Sequence, residues 1–172
     1  MRYLISDIHG CYDQYRQLLQ KINFSSQDEL YVLGDAVDRG SDPIKVLQDL
    51  MRRPNVIYIL GNHDLEMYLL LNKLTAEITE KNCETQITSE LLEAYSLWLS
   101  DGGAVKQFQK LSRDDQQEIL DFIADASAYE EIDYKGSHYI LTHAGLANFS
   151  LQKELEDYDL YDFVEGRADY GR

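Results

Sequence analysis

Gly34-Asp35-Ala36-Val37-Asp38-Arg39-Gly40 follows a short apolar run, Leu30–Leu33, and precedes Ser41-Asp42-Pro43. Two carboxylates and a guanidinium fall within five residues, bracketed by glycines. That composition is poor for packing, because like carboxylates at close range need a cation between them. The stretch therefore predicts a tight strand-to-helix turn where a divalent metal converts repulsion into ligation. The other ligands should then arrive on neighbouring turns.

Reading outward gives those turns. Arg2–Ser6 reads as a buried strand, and Tyr12–Ile22 carries apolar residues at helical spacing (Tyr12, Tyr15, Leu18, Leu19, Ile22). Asp42 before Pro43 predicts an N-cap with proline at the first helical position, opening a helix to about Met51. Pro54 stops it, and Val56–Leu60 is a β-branched third strand. Strand–helix–strand–helix–strand implies a parallel sheet with right-handed crossovers, whose ligands bind beyond the carboxyl ends of the strands. Asp7-Ile8-His9-Gly10, Gly34-Asp35 and Gly61-Asn62-His63-Asp64 all fall there. They are spaced by roughly one βαβ unit of 30 residues, so the three loops should meet.

The rest of the chain turns helical and then returns to strand. Helices are predicted over Leu65–Leu74, Ser89–Leu99, Ala104–Leu111 and Asp114–Ala126, the last capped by Asp114, with a polar loop or weak helix over Thr75–Thr88. Ala128–Asp133 and His138–Thr142, separated by Tyr134–Ser137, read as a β-hairpin feeding His143-Ala144-Gly145. The tail from Asn148 is acidic and tyrosine-rich and reads as solvated surface, and His138 reads as a packed or exposed strand residue. At 172 residues the chain can bury one proper core. A net charge of −15 argues against nucleic acid and against anionic membrane surfaces, since both rely on clustered Lys and Arg. It leaves room for a phosphorylated substrate, because metals and local arginines reverse the sign inside one cleft. With no apolar run near the roughly 20 residues that span a bilayer and no signal-peptide layout, a cytoplasmic location is expected. Cys11 and Cys83 make neither a disulfide framework nor a Cys-x-x-Cys site.

Asp7-Ile8-His9-Gly10, Gly34–Gly40, Gly61–Asp64 and His143-Ala144-Gly145 together resemble the signature blocks of the phosphoprotein phosphatase family, within the calcineurin-like metallophosphoesterases. The resemblance spans almost the whole chain. It implies an α/β sandwich, a βαβαβ core with a helical insertion, as one domain over residues 1–172. It also implies two divalent metal ions and in-line attack of a metal-bridging hydroxide on a phosphomonoester. By position, Asp7 and His9 would hold the first metal, Asp35 would bridge, and Asn62 and His143 would hold the second. His63 would be the general acid, oriented by Asp38, and Arg39 and Arg167 would clamp phosphoryl oxygens. Mixed oxygen and imidazole donors favour manganese, iron or zinc, with manganese first. Trp98-Leu99-Ser100-Asp101-Gly102-Gly103 resembles a tryptophan/double-glycine segment of the smaller bacterial members. A core tryptophan and a pocket role both fit that segment.

The family normally adds one more histidine in a Gly-His-Thr-Pro-like turn, and none of the four histidines here follows His143. Asp162–Arg172 resembles the segment leading toward that turn, so the chain is expected to stop short of it. The second metal would then bind more weakly, and the second sheet would be incomplete. The first functional reading is a serine/threonine-type protein phosphatase. A dinucleoside tetraphosphate or other small phosphate ester is the alternative substrate, against which Asp38 weighs mildly, because that branch often carries a small residue there. An inactive binding or regulatory module is the third reading.

Overall fold

β2 (Glu29–Leu33) lies between two parallel neighbours, β1 (Arg2–Ile5) and β3 (Val56–Ile59). The computed structural model describes residues 1–76, 79, 88–101 and 104–167. Leu4, Tyr31 and Ile57 share one register row, and Ile5, Val32 and Tyr58 the next. Successive strand residues face opposite sides. Leu30 and Val32 accordingly enter the core under the helices, while Tyr31 and Ile59 enter a second core under the hairpin. The apolar run Leu30–Leu33 therefore serves two layers, as expected of a central parallel strand.

The crossovers are α1 (Tyr12–Lys21) and α2 (Pro43–Met51), which bury Tyr15, Leu19, Ile44, Leu47 and Leu50 against the sheet. α3 (Asn62–Thr75), α4 (Ser89–Asp101), α5 (Ala104–Phe108) and α6 (Arg113–Ala124) extend that layer with Met67, Trp98, Phe108 and Ile123. On the other face, β4 (Tyr129–Tyr134) and β5 (Ser137–Thr142) form the antiparallel hairpin. Its turn, Lys135-Gly136, has φ of 51° and 81°, the doubly left-handed turn whose twist suits a two-residue hairpin. Ile132 and Leu141 cover Tyr31 and Ile59. Leu4 on β1 stays 46% exposed, so the hairpin covers β2 and β3 rather than β1. A short 3₁₀ turn (Leu155–Asp157) and α7 (Leu160–Val164) follow, and Tyr158 and Phe163 pack with Leu146. The described part of the acidic tail, as far as residue 167, is thus solvated on one side only. Among the described residues no helix is long and apolar enough to cross a membrane.

Several local readings need correction. α3 begins at Asn62 rather than Leu65, because Gly61 takes the cap position and the Asp64 carboxylate returns to the Gly61 N–H (3.1 Å). This puts Asn62 and His63 in the first helical turn. Ser112, not Asp114, caps α6 by accepting from Asp115 N (3.1 Å), and Asp114 sits in the first turn at the positive end of the helix dipole. Asp42 occupies the predicted cap position, but Lys45 and the Ser41 hydroxyl take its carboxylate. α5 ends at Phe108 rather than Leu111, where the Gln116 amide takes the Phe108 carbonyl (3.0 Å). Most of Thr75–Thr88, with Cys83, lies outside the described residues, as do Gly102 and Gly103.

His138 is exposed and ion-paired on both ring nitrogens, to Asp133 (3.0 Å) and Glu131 (2.7 Å). Both carboxylates, Asp133 the more strongly, raise its pKa above the ordinary value. A base with a raised folded pKa stabilises most below its unfolded value, roughly 6.5, and loses that contribution as pH climbs through the folded value. His138→Gln should therefore lower Tm at pH 5.5 and leave it unchanged by about pH 9. Thermal melts of the two proteins across that range are the check.

Candidate metal centre and active site

The loops leaving β1, β2 and β3 are tied to one another through their backbones. Asp7 N donates to Gly34 O (3.2 Å), His9 N to Asp35 O (2.8 Å) and Gly10 N to Ala36 O (2.9 Å), and Gly40 N returns to His9 O (2.8 Å). Asp64 holds this arrangement from the side. Its carboxylate is fully buried and accepts from Asp35 N (2.7 Å), Ala36 N (3.0 Å), Val37 N (3.3 Å) and Gly61 N (3.1 Å). Burial pushes the Asp64 carboxyl above its ordinary pKa, and the backbone donors pull the other way.

So tight a path forces unusual backbone. Asp7, His9, Asp35, Asp38 and Arg39 all have positive φ, between 45° and 65°. Non-glycine residues lose roughly 1–2 kcal/mol each in that region. The position of Gly34 admits no side chain: φ is +73°, and a Cβ would lie 2.6 Å from both Gly61 Cα and His143 Nδ1.

The side chains converge accordingly. His9 Nδ1 meets Val37 O (2.8 Å) and His143 Nδ1 meets Leu33 O (2.8 Å), which places the proton on Nδ1 in each neutral ring. Both Nε2 lone pairs then point inward. His9 Nε2 is buried with no hydrogen-bond partner. Asp35 sits between the rings, with Oδ2 3.5 Å from His9 Nε2 and Oδ1 3.5 Å from His143 Nε2. Asp7 Oδ1 approaches His9 Nε2 to 3.8 Å, and Asn62 Oδ1 approaches His143 Nε2 to 3.1 Å. Acceptors facing acceptors are costly unless a cation lies among them, and imidazoles anchored through their far nitrogen are the usual metal-ligand arrangement. The residues fit divalent metal. Asp7, His9, Asp35, Asn62 and His143, separated by up to 136 residues in sequence, lie in one cluster linked by these contacts.

Beside this centre lies a hydrogen-bonded chain. Ligand atoms of His63, His9 and Asp35 fall within 4.8 Å of one another, but both nitrogens of His63 are engaged elsewhere. Nδ1 bonds Asp38 Oδ2 (2.8 Å), and Nε2 lies 3.1 Å from the Arg39 guanidinium. The other Asp38 oxygen accepts from Trp98 Nε1 (2.7 Å). Arg167 lines a separate cavity of about 670 Å³ together with Asn62 and His143. Asp64 as the organising carboxylate and Trp98 as a partner of Asp38 did not emerge from sequence reasoning. Both stood inside quoted motifs, which was the available signal.

This is the fold of a metallophosphoesterase domain. The chain belongs to the calcineurin-like phosphoesterase family, whose model matches residues 3–170. A symmetrical bis(5'-nucleosyl)-tetraphosphatase from Wigglesworthia glossinidia brevipalpis is 39% identical over 87 residues, covering 49% of this chain and 32% of the relative. The one from Proteus mirabilis is 39% identical over 94 residues, covering 54% and 33%. The one from Nitrosospira multiformis is 28% identical over 146 residues, covering 84% and 43%. The chain thus spans less than half the length of these relatives. A crystal structure of a candidate diadenosine tetraphosphatase superposes with a TM-score of 0.60 at 23% identity, over 93% of this chain and 56% of the other, which establishes the shared fold.

Asp64→Asn replaces an acceptor with an amide that cannot satisfy the same four N–H groups. Each stranded donor should cost about 1–3 kcal/mol, so urea unfolding should show a loss in that range or above, and manganese binding by calorimetry should fall with it. Unchanged stability and metal affinity would contradict the organising role of Asp64.

Proposed function

We propose that this chain carries a dimetal site that hydrolyses dinucleoside tetraphosphates. The observation that carries the chemistry is the Asp35 carboxylate set between two inward-facing imidazoles, beside the paired Asp38 and His63. The names of the relatives support the substrate, and they give no support to a phosphoprotein. The Asp38 carboxylate bonds His63 and Trp98, so its work concerns the proton and does not discriminate between esters.

Asp7, His9 and Asp35 would hold one metal, and Asp35, Asn62 and His143 the other. Bound divalent ions supply Lewis acidity at the phosphoryl oxygens and a water nucleophile at neutral pH. Manganese suits the mixed donors best, with iron and zinc as the alternatives. Arg39 offers the forked guanidinium that binds two phosphoryl oxygens, and Arg167 a second from the His143 side. His63 donates a proton from Nε2 to the departing oxygen while Asp38 holds Nδ1–H and favours the imidazolium. Arg39 now occupies that Nε2. Its transfer to the substrate's oxygens would free the nitrogen to take up a proton, so substrate binding primes the acid.

Asp35→Asn should abolish turnover of p-nitrophenyl phosphate and diadenosine tetraphosphate alike. Side by side, the wild-type chain with manganese should cleave diadenosine tetraphosphate faster than a phosphoserine peptide. The reverse order would restore the protein phosphatase reading, and no hydrolysis of any ester would favour a binding module. Trp98→Phe keeps the ring but removes the N–H from Asp38. It should slow esters with poor leaving groups by about tenfold, a hydrogen bond to a carboxylate being worth at least about 1.4 kcal/mol, and spare p-nitrophenyl phosphate, whose leaving group needs no acid. Equal losses on both substrate types would mark Trp98 as merely structural.

A further inference from the structure

From His63 a second cavity, about 920 Å³, runs away from the metal centre between α3 and α4. Glu66, Leu69, Leu70 and Lys73 line it on one face of α3 as far as Ala76, a path of roughly 20 Å at the helical rise. Across from them α4 presents Leu91, Ala94, Leu97 and Trp98. Leu69 and Leu97 are 43% and 70% exposed, apolar side chains spent on an open groove. The floor is Asp38 and His63, the end at which a leaving oxygen would depart.

Resting on the proposed substrate, the geometry points to this cavity as the binding site for the leaving half's nucleoside. The occupant must connect to the scissile bond at His63, which a cavity floored by His63 allows. It must also tolerate carboxylates, since Glu66 and Glu90 line the walls with Lys73 as the basic residue. Those carboxylates repel a phosphate tail. They accept hydrogen bonds from a ribose diol, the pairing by which acidic residues hold ribose in dinucleotide sites. The leucines offer the apolar walls between which a nucleobase is buried, most of them one helical turn or more from Trp98 at the His63 end. The cavity length accommodates the diphosphate next to His63 and Arg39, then ribose at Glu66, then base among Leu69, Leu70 and Leu97, with Glu90 at the far end.

Trp98 is the chain's only tryptophan, so its fluorescence reports on this cavity without any turnover. Adenosine should change Trp98 emission saturably in the wild-type protein. Ala94→Phe, at an exposed position facing the groove, should abolish that response, and Leu97→Ser should weaken it. With manganese, Ala94→Phe should raise KM for diadenosine tetraphosphate by about tenfold, comparable to the loss of one base-stacking contact, and leave p-nitrophenyl phosphate hydrolysis unchanged within about twofold. Emission unmoved by adenosine up to its solubility limit, or an undiminished response in both variants, would overturn the assignment. If adenosine moves Trp98 while only p-nitrophenyl phosphate is cleaved, the tetraphosphate reading fails and the nucleoside site stands.

Discussion

One buried carboxylate, that of Asp64, has to gather backbone N–H groups from two separate loops before any ligand can be in place. Three of the four donors belong to Asp35, Ala36 and Val37, and the fourth to Gly61. With the N–H groups turned toward Asp64, the Asp35 side chain is left facing the opposite way, toward His9 and His143. The Asp35 and Val37 carbonyls in turn receive the His9 N–H and ring proton. The metal centre is in this sense the far side of a network whose near side is Asp64. Low dielectric makes such a network strong when complete and costly when one member is missing.

That network explains why the strained backbone persists. Five site residues hold positive φ, and no local preference of Arg39 would choose it. Cross-loop hydrogen bonds and the contact of Gly34 with Gly61 over-determine the path. The strain buys direction: a short loop can aim Asp7 and His9, only two residues apart, at the same point. Packing supplies the rigid frame, because β2 is anchored on both faces and cannot shift without disturbing two cores.

Much of this was legible in the sequence because parallel βαβ units repeat at a fixed length. Asp7, Asp35 and Asn62 each follow an apolar strand by one or two residues, and the crossovers bring strand ends together regardless of what the helices contain. The hairpin was legible as Ala128–Asp133 and His138–Thr142 separated by Tyr134–Ser137. Asp64 was not, since its partners are backbone N–H groups 3 and 27–29 residues away, and every non-proline residue offers one. The link from Trp98 to Asp38 spans 60 residues and depends on how the helical insertion folds back, which no periodicity encodes. The caps of two helices lie two to four residues upstream of where the sequence places them. Ser112 and Gly61 win over Asp114 and the later start at Leu65, because the Asp115 and Asp64 carboxylates bond back to those cap residues from inside the first turn.

Charge distribution bears on the proposed polyanionic ester. A chain of net charge −15 repels such a molecule at long range, but screening confines that repulsion to about 10 Å at moderate salt. Selectivity then depends on where positive charge sits within the site. Divalent ions among Asp7, His9, Asp35, Asn62 and His143, flanked by Arg39 and Arg167, would concentrate it at a single phosphoryl group. Beyond His63 the walls carry Glu66, Glu90 and Lys73 among leucines, which would suit the neutral nucleoside that follows the phosphates of the proposed substrate. A ligand anionic at its centre and neutral at its ends matches that profile, whereas an acidic phosphopeptide lying along the cavity meets carboxylates at Glu66 and Glu90.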